Sequence, residues 1–164
     1  MMKYVETKVC FEEIPNEITL CINISNCPYH CQGCHSQHLW QDVGTELTYD
    51  ELVRLTLDND GITCVCLMGH GDPTASSAEQ SFRNAERMLM RLKMEKGIKT
   101  AIYTGGNFMP NFADKPYSID YLKVGRYMEE RGPLNSPTTN QRMYKNPHDG
   151  CGMIDITSIF QSKR

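Results

Sequence analysis

Three cysteines fall within eight residues, Cys27-Pro-Tyr-His-Cys31-Gln-Gly-Cys34, immediately after the apolar run Ile18–Ile24. The C-x3-C-x2-C spacing gathers three thiols on one tight loop and supplies no fourth. A closed structural zinc site takes four ligands, and iron–sulfur clusters normally use four cysteines. Three ligands leave one metal position uncapped and open to a substrate or cofactor, so the motif reads as catalytic rather than structural. Two other chemistries fit the same residues. Cys31-x2-Cys34 with His30, His35 and His38 can build a zinc site, although no second ligand pair follows at knuckle spacing. C-x-x-C is also the spacing of a thioredoxin-like redox pair, which would leave Cys27 idle and calls for an apolar-striped helix that the next residues lack.

The rest of the composition narrows the class. A chain of 164 residues suggests one domain, 1–164, long enough for a sizeable core and well short of the roughly 250 residues of a closed eight-fold barrel. The net charge is -3, from 17 basic and 20 acidic residues, which gives no nucleic-acid footprint and no polybasic membrane patch. No apolar stretch approaches the roughly 20 residues of a membrane span, and the first residues have no apolar signal core. The expected location is the cytoplasm. Eight cysteines would also suit a secreted disulfide scaffold. Their clustering and the length of the chain argue instead for metal or redox chemistry in a reducing compartment.

Hydrophobic periodicity places the loop in a fold. Residues 17–25 read as a strand, and the cysteine loop follows its carboxyl end. Thr48-Tyr-Asp-Glu51 is a capping-box pattern that opens a helix carrying Leu52, Val53, Leu55 and Leu57. Ile62–Met68 reads as a strand buried on both faces and is broken by Gly69-His-Gly-Asp-Pro73. Residues 77–96 carry the clearest helical stripe, through Phe82, Ala85, Met88, Leu89 and Leu92, with Gly97 as its C-cap. Ile98–Thr104 and Ser118–Val124 read as two further strands, and short strands are expected over Gln141–Tyr144 and Met153–Ile156. Alternating strands and helices predict an α/β fold with a mostly parallel sheet. Loops at the carboxyl ends of such strands gather ligands, so the cysteine loop and the two Gly-rich loops are expected at one edge.

C-x3-C-x2-C after the first expected strand, with Gly-rich turns after later strands, resembles the radical S-adenosylmethionine superfamily. The resemblance implies a partial, open (β/α) barrel, in which Cys27, Cys31 and Cys34 hold one [4Fe-4S] cluster. It further implies that the open iron chelates the methionine part of S-adenosyl-L-methionine, and that one electron then releases a 5′-deoxyadenosyl radical. Gly69-His-Gly-Asp-Pro73 is similar to the superfamily's second motif, which maps cofactor contacts onto Gly69, Gly71 and Asp72, with His70 interrupting the glycine pair. Gly33 stands where many members carry an aromatic residue. Glycine there is typical of the activating proteins of anaerobic, class III ribonucleoside-triphosphate reductases. Tyr103-Thr-Gly105, Leu122-Lys-Val-Gly-Arg-Tyr127 and Thr139-Asn-Gln-Arg-Met-Tyr144 also resemble that subgroup, and the matches span about residues 15–145. The subgroup implies further cofactor contacts at Gly33 and His35. Its partners would be the reductase large subunit, as a protein substrate receiving a glycyl radical, and a flavodoxin-type reductant.

Activation of another glycyl radical enzyme of the formate-lyase type, radical chemistry on a small molecule, and a non-catalytic zinc-binding module are the alternatives. Cys10, Cys21, Cys64 and Cys66 sit in apolar or strand contexts, where cysteine behaves as a small hydrophobe. Cys151 lies in a Gly-rich segment and reads as incidental. Trp40 is expected to pack at the barrel edge, and Asn140 and Arg142 to bind cofactor, partner or local backbone.

Overall fold

Burial on both faces sets the centre of the sheet. The computed structural model describes residues 1–111 and 115–161. Its middle strands are β2 (Thr19–Ile24), β4 (Cys64–Met68), β5 (Lys99–Tyr103) and β6 (Tyr121–Val124), paired parallel in that order. They are short apolar runs with almost no exposed position, as expected of strands covered on both sides. The flanks are antiparallel. On one side lie β1 (Lys3–Cys10) and the two-residue β3 (Thr45–Glu46), and on the other β7 (Arg142–Lys145) and β8 (Ile154–Asp155). The order is β3-β1-β2-β4-β5-β6-β7-β8. The sheet is therefore mixed rather than mostly parallel. Among the described residues, helices cover only two of the three parallel crossovers, and antiparallel returns build the edges.

Two helices cover one face. Helix α1 (Tyr49–Leu57) opens at Thr48, whose hydroxyl accepts the Glu51 N–H at 3.1 Å. The reciprocal half of the expected capping box is missing, because the Glu51 carboxylate is taken by Tyr4 and Arg54. Leu52 and Leu55 are buried, whereas Leu57, the last apolar residue of the helix, is 61% exposed. Helix α2 (Ala78–Lys96) is capped by the Ser77 hydroxyl and ends at Gly97, whose φ of 67° is the left-handed geometry glycine adopts without cost. Phe82, Ala85, Leu89 and Leu92 pack on Leu20, Ile22, Val65, Leu67, Ile102 and Leu122. The alternate strand residues face a second core, formed by Cys64, Cys66, Ala101, Tyr103 and Tyr121 under Ile14, Leu134 and Met143. The short helix α3 (Ser158–Gln161) ends the described chain. No helix among the described residues is long and apolar enough to cross a membrane.

The parallel registers fix the site. Asn23, Met68, Tyr103 and Lys123 are level across β2, β4, β5 and β6, so these four strands end on one line. The cysteine loop follows β2, the Gly-His-Gly turn follows β4, the Thr-Gly-Gly turn follows β5 and Gly125 follows β6. β1 is absent from the sequence reading. Half of its residues are exposed, because β3 pairs only with Lys3 and Tyr4 and leaves the rest of its outer side open, and such a polar strand gives little two-fold hydrophobic signal. The strand before the cysteines is accordingly the second in the chain.

Candidate functional site

A cavity of about 180 Å³ opens along this line of strand ends. Cys27, Cys31 and Cys34 all line it, together with Tyr29, Met68, Gly69, Thr104, Lys123 and Gln141 among others. Local main-chain bonds shape the loop. Cys27 N–H donates to the Leu39 carbonyl at 3.0 Å, tying the loop's start to the 3-10 turn Gln37–Trp40, and Cys34 N–H donates to Cys31 O at 3.1 Å. His30 adopts a φ of 43°, an uncommon value for a non-glycine residue, and its ring stacks on Trp40 at 4.7 Å.

The thiols meet donors rather than acids. Burial pushes the Cys27 thiol up, and the main-chain N–H groups of Tyr29 and His30 oppose this by favouring the thiolate. Ser36 N–H donates to Cys34 Sγ at 3.4 Å. Among the described residues, no histidine or carboxylate lines the cavity. His30 is stacked on Trp40, His38 pairs with Glu6 at 3.2 Å, and the His35 ring is 6.0 Å from that of Tyr127. A soft, all-sulfur donor set of three suits an iron–sulfur cluster better than zinc. Among the described residues no group of three or more His, Cys, Asp and Glu side chains is gathered at metal-binding separation. The three cysteines thus share a wall rather than a finished coordination sphere.

The remaining sequence-predicted residues divide. Gly69, with φ 101°, lines the cysteine cavity, and its N–H donates to Tyr103 O at 2.9 Å. Gly71 and Asp72 line an adjoining cavity of about 350 Å³ that shares Cys27 and Trp40 with the first. Gly71 is a close-approach glycine: a Cβ there would stand 2.2 Å from the Ser25 carbonyl and 2.3 Å from that of Asn26. The Asp72 carboxylate is already engaged by the Met1 amino group, by Thr74 and by Asn84. Burial works against its charge, but these donors prevail and hold its pKa at about 2. Gly33 and His35 lie outside the cavity lining, Gly33 against the Glu129 side chain and His35 beside Tyr127. His70 does not interrupt a glycine wall. Its side chain turns into the core, 2% exposed, and bonds Thr104 Oγ1 through Nε2 at 2.7 Å.

Several lining residues escaped the sequence reading. Lys123 is the one basic side chain in the lining among the described residues, and its ammonium lies 4.7 Å from the centre of the Tyr103 ring. Burial lowers its pKa, and Glu13 works in the other direction. A lysine inside an apolar strand was the available signal. Gln141 lines the cavity and donates to Gly125 O at 3.2 Å. Asn140 instead donates to Arg126 O, and Arg142 pairs with Asp155 on β8, so these two serve the local structure. A family model described as a 4Fe-4S single cluster domain matches residues 18–141, from the start of β2 to the Asn-Gln-Arg segment. No curated protein and no solved structure matches the chain.

Proposed function

The chain belongs to the 4Fe-4S single cluster domain family, and on that premise we propose that it is a radical S-adenosylmethionine activase of an anaerobic ribonucleoside-triphosphate reductase. The observation that carries this reading is the cavity at the strand ends, lined by Cys27, Cys31 and Cys34 and, among the described residues, by no histidine or carboxylate. These three thiols would hold one [4Fe-4S] cluster. When bound, cluster and S-adenosyl-L-methionine together supply a 5′-deoxyadenosyl radical once one electron arrives from a flavodoxin-type donor.

The chain's own residues suit the rest of that task. Lys123 offers a half-buried cation to a cofactor carboxylate, and removal from water strengthens such a contact. Gly69 offers bare main chain at the cavity wall. Ile24, Leu39 and Met68 line the same wall and exclude water from a reactive centre. In this reading the open mixed sheet is the partial barrel of the superfamily, left unclosed because the substrate is a glycine in a protein, the reductase large subunit. Gly33 and the segment Thr139–Tyr144 support that subgroup over other activases.

Anaerobic reconstitution with iron and sulfide, followed by S-adenosylmethionine and dithionite, tests the reading. The expected product is 5′-deoxyadenosine, lost in Cys27→Ala, Cys31→Ala and Cys34→Ala, with a glycyl radical signal on added reductase. A fully loaded cluster that yields no 5′-deoxyadenosine with or without the reductase would sink it.

A further inference from the structure

Tyr29, inside the cysteine motif, is gripped from several sides. Its ring lies on the Gly105–Gly106 turn. A Cβ at Gly105 would stand 2.7 Å from two of its ring carbons, and one at Gly106 would stand 2.7 Å from its hydroxyl. Neither glycine has a positive φ, so the turn itself does not demand glycine and the ring does. The turn is fixed from behind. Gly106 N–H donates to Thr104 Oγ1 at 3.0 Å, and the same oxygen bonds His70 Nε2 at 2.7 Å. The His70 ring stands edge-on to Tyr29, Phe82 and Phe108. On the other side, Arg126 donates through Nη2 to the Tyr29 carbonyl. Held in this way, residue 29 keeps its own N–H, and that of His30, at the Cys27 sulfur.

Hydrogen bonds to cluster sulfurs stabilise the more negative, reduced state and are a principal control of iron–sulfur potentials. We infer that Tyr29 is a positioning residue for the cluster: seated on the Gly105–Gly106 turn and clasped by Arg126, it keeps main-chain donors on Cys27 and so raises the cluster's reduction potential. His70 acts at one further remove, by fixing Thr104. The inference rests on the family's cluster being held by these cysteines and is independent of S-adenosylmethionine cleavage.

The test is an EPR-monitored redox titration of the cluster-loaded protein without any cofactor, in Gly105→Ala, Tyr29→Ala and the double variant. Each single variant is expected to lower the potential. At the wild-type midpoint the reduced-to-oxidised ratio should fall about tenfold, which is about 59 mV for a one-electron couple. The double variant should match Tyr29→Ala, because the added methyl then has no ring to displace. A wild-type midpoint in loaded Gly105→Ala would overturn the inference, and so would additive shifts in the double variant, because a ring that only fills space predicts one of those two results. If Gly105→Ala takes up no cluster, Arg126→Gln releases the same residue with the turn intact. The same fall is expected there, and an unmoved midpoint again overturns the inference.

Discussion

Two groups of cysteines in this molecule share a residue type and little else. Cys27, Cys31 and Cys34 lie on a loop beyond the end of β2 and line one cavity, with main-chain N–H groups turned toward Cys27 and Cys34. Cys21, Cys64 and Cys66 lie within β2 and β4, on the face away from the helices, with Cys21 directly opposite Cys66. Burial pushes all three of these thiols up, far enough to keep them protonated. The backbone makes the difference. A strand spends its N–H groups on its neighbours, so these sulfurs find acceptors rather than N–H donors: Cys64 Sγ donates to the Val65 carbonyl at 3.9 Å and Cys66 Sγ to Met68 Sδ at 3.7 Å. A tight loop leaves N–H groups free, and they can face a thiolate.

The largest expected effects test that contrast directly. Cys31→Ala should abolish cluster uptake, read as loss of protein-bound iron and of visible absorbance after reconstitution. Cys66→Ala should keep both at wild-type levels, and loss of the cluster there would erase the distinction. A second, kinetic test uses the cluster-free protein. Brief alkylation at pH 8 followed by peptide mass spectrometry should label exposed Cys151 first and the loop cysteines next. Cys64 and Cys66 should react only on unfolding, more slowly by orders of magnitude. Early labelling of Cys64 would show that the second face opens readily.

His70 belongs to the loop side by sequence and to the core side by structure, so it sharpens the comparison. Burial lowers its pKa to about 4 from the usual 6.5. The unfolded chain then takes up the proton first as pH falls. The contribution is complete above pH 6.5, is lost progressively between 6.5 and 4, and is constant below that. The shift corresponds to about 3 kcal/mol over that window. Urea unfolding of wild type and His70→Phe at pH 7 and pH 4.5 should show the difference between them shrinking toward acid. A difference independent of pH would place the histidine in water.

Much of this arrangement is legible in the sequence, for reasons that differ by element. β2, β4 and β5 are apolar on both faces, and α2 carries a clean stripe between Ser77 and Gly97, so local pattern and tertiary role agree. The cysteine spacing identifies the donor set without any geometry. β1 is illegible because a half-exposed strand, covered on its outer side only by the two residues of β3, needs no apolar alternation. Asp72 and His70 cannot be placed from the sequence for another reason. Turn residues of the same kinds serve ligands or their own scaffold, and only the partners decide: Thr74 and Asn84 for one, Thr104 for the other. Lys123 on β6 and Gln141 just before β7 reach the cavity through a register set by the whole sheet, which no local window contains.

The smallest effect separates the two kinds of cysteine by chemistry rather than by position. If Cys66 is a packed hydrophobe, replacing it with alanine loses contacts with Met68 and Tyr103 and costs about 1 kcal/mol. Serine is closer to cysteine in size, yet it places a hydroxyl among apolar side chains and other thiols. An unsatisfied buried hydroxyl costs about 2 kcal/mol. Cys66→Ser should therefore unfold at lower urea than Cys66→Ala, with an unchanged m-value. On the loop the same exchange should leave the stability of the cluster-free protein nearly untouched at half-buried Cys34, where water can reach the substituted group. A serine at 66 more stable than alanine would mean that the second face offers a polar partner, and the sheet cysteines would no longer count as inert core.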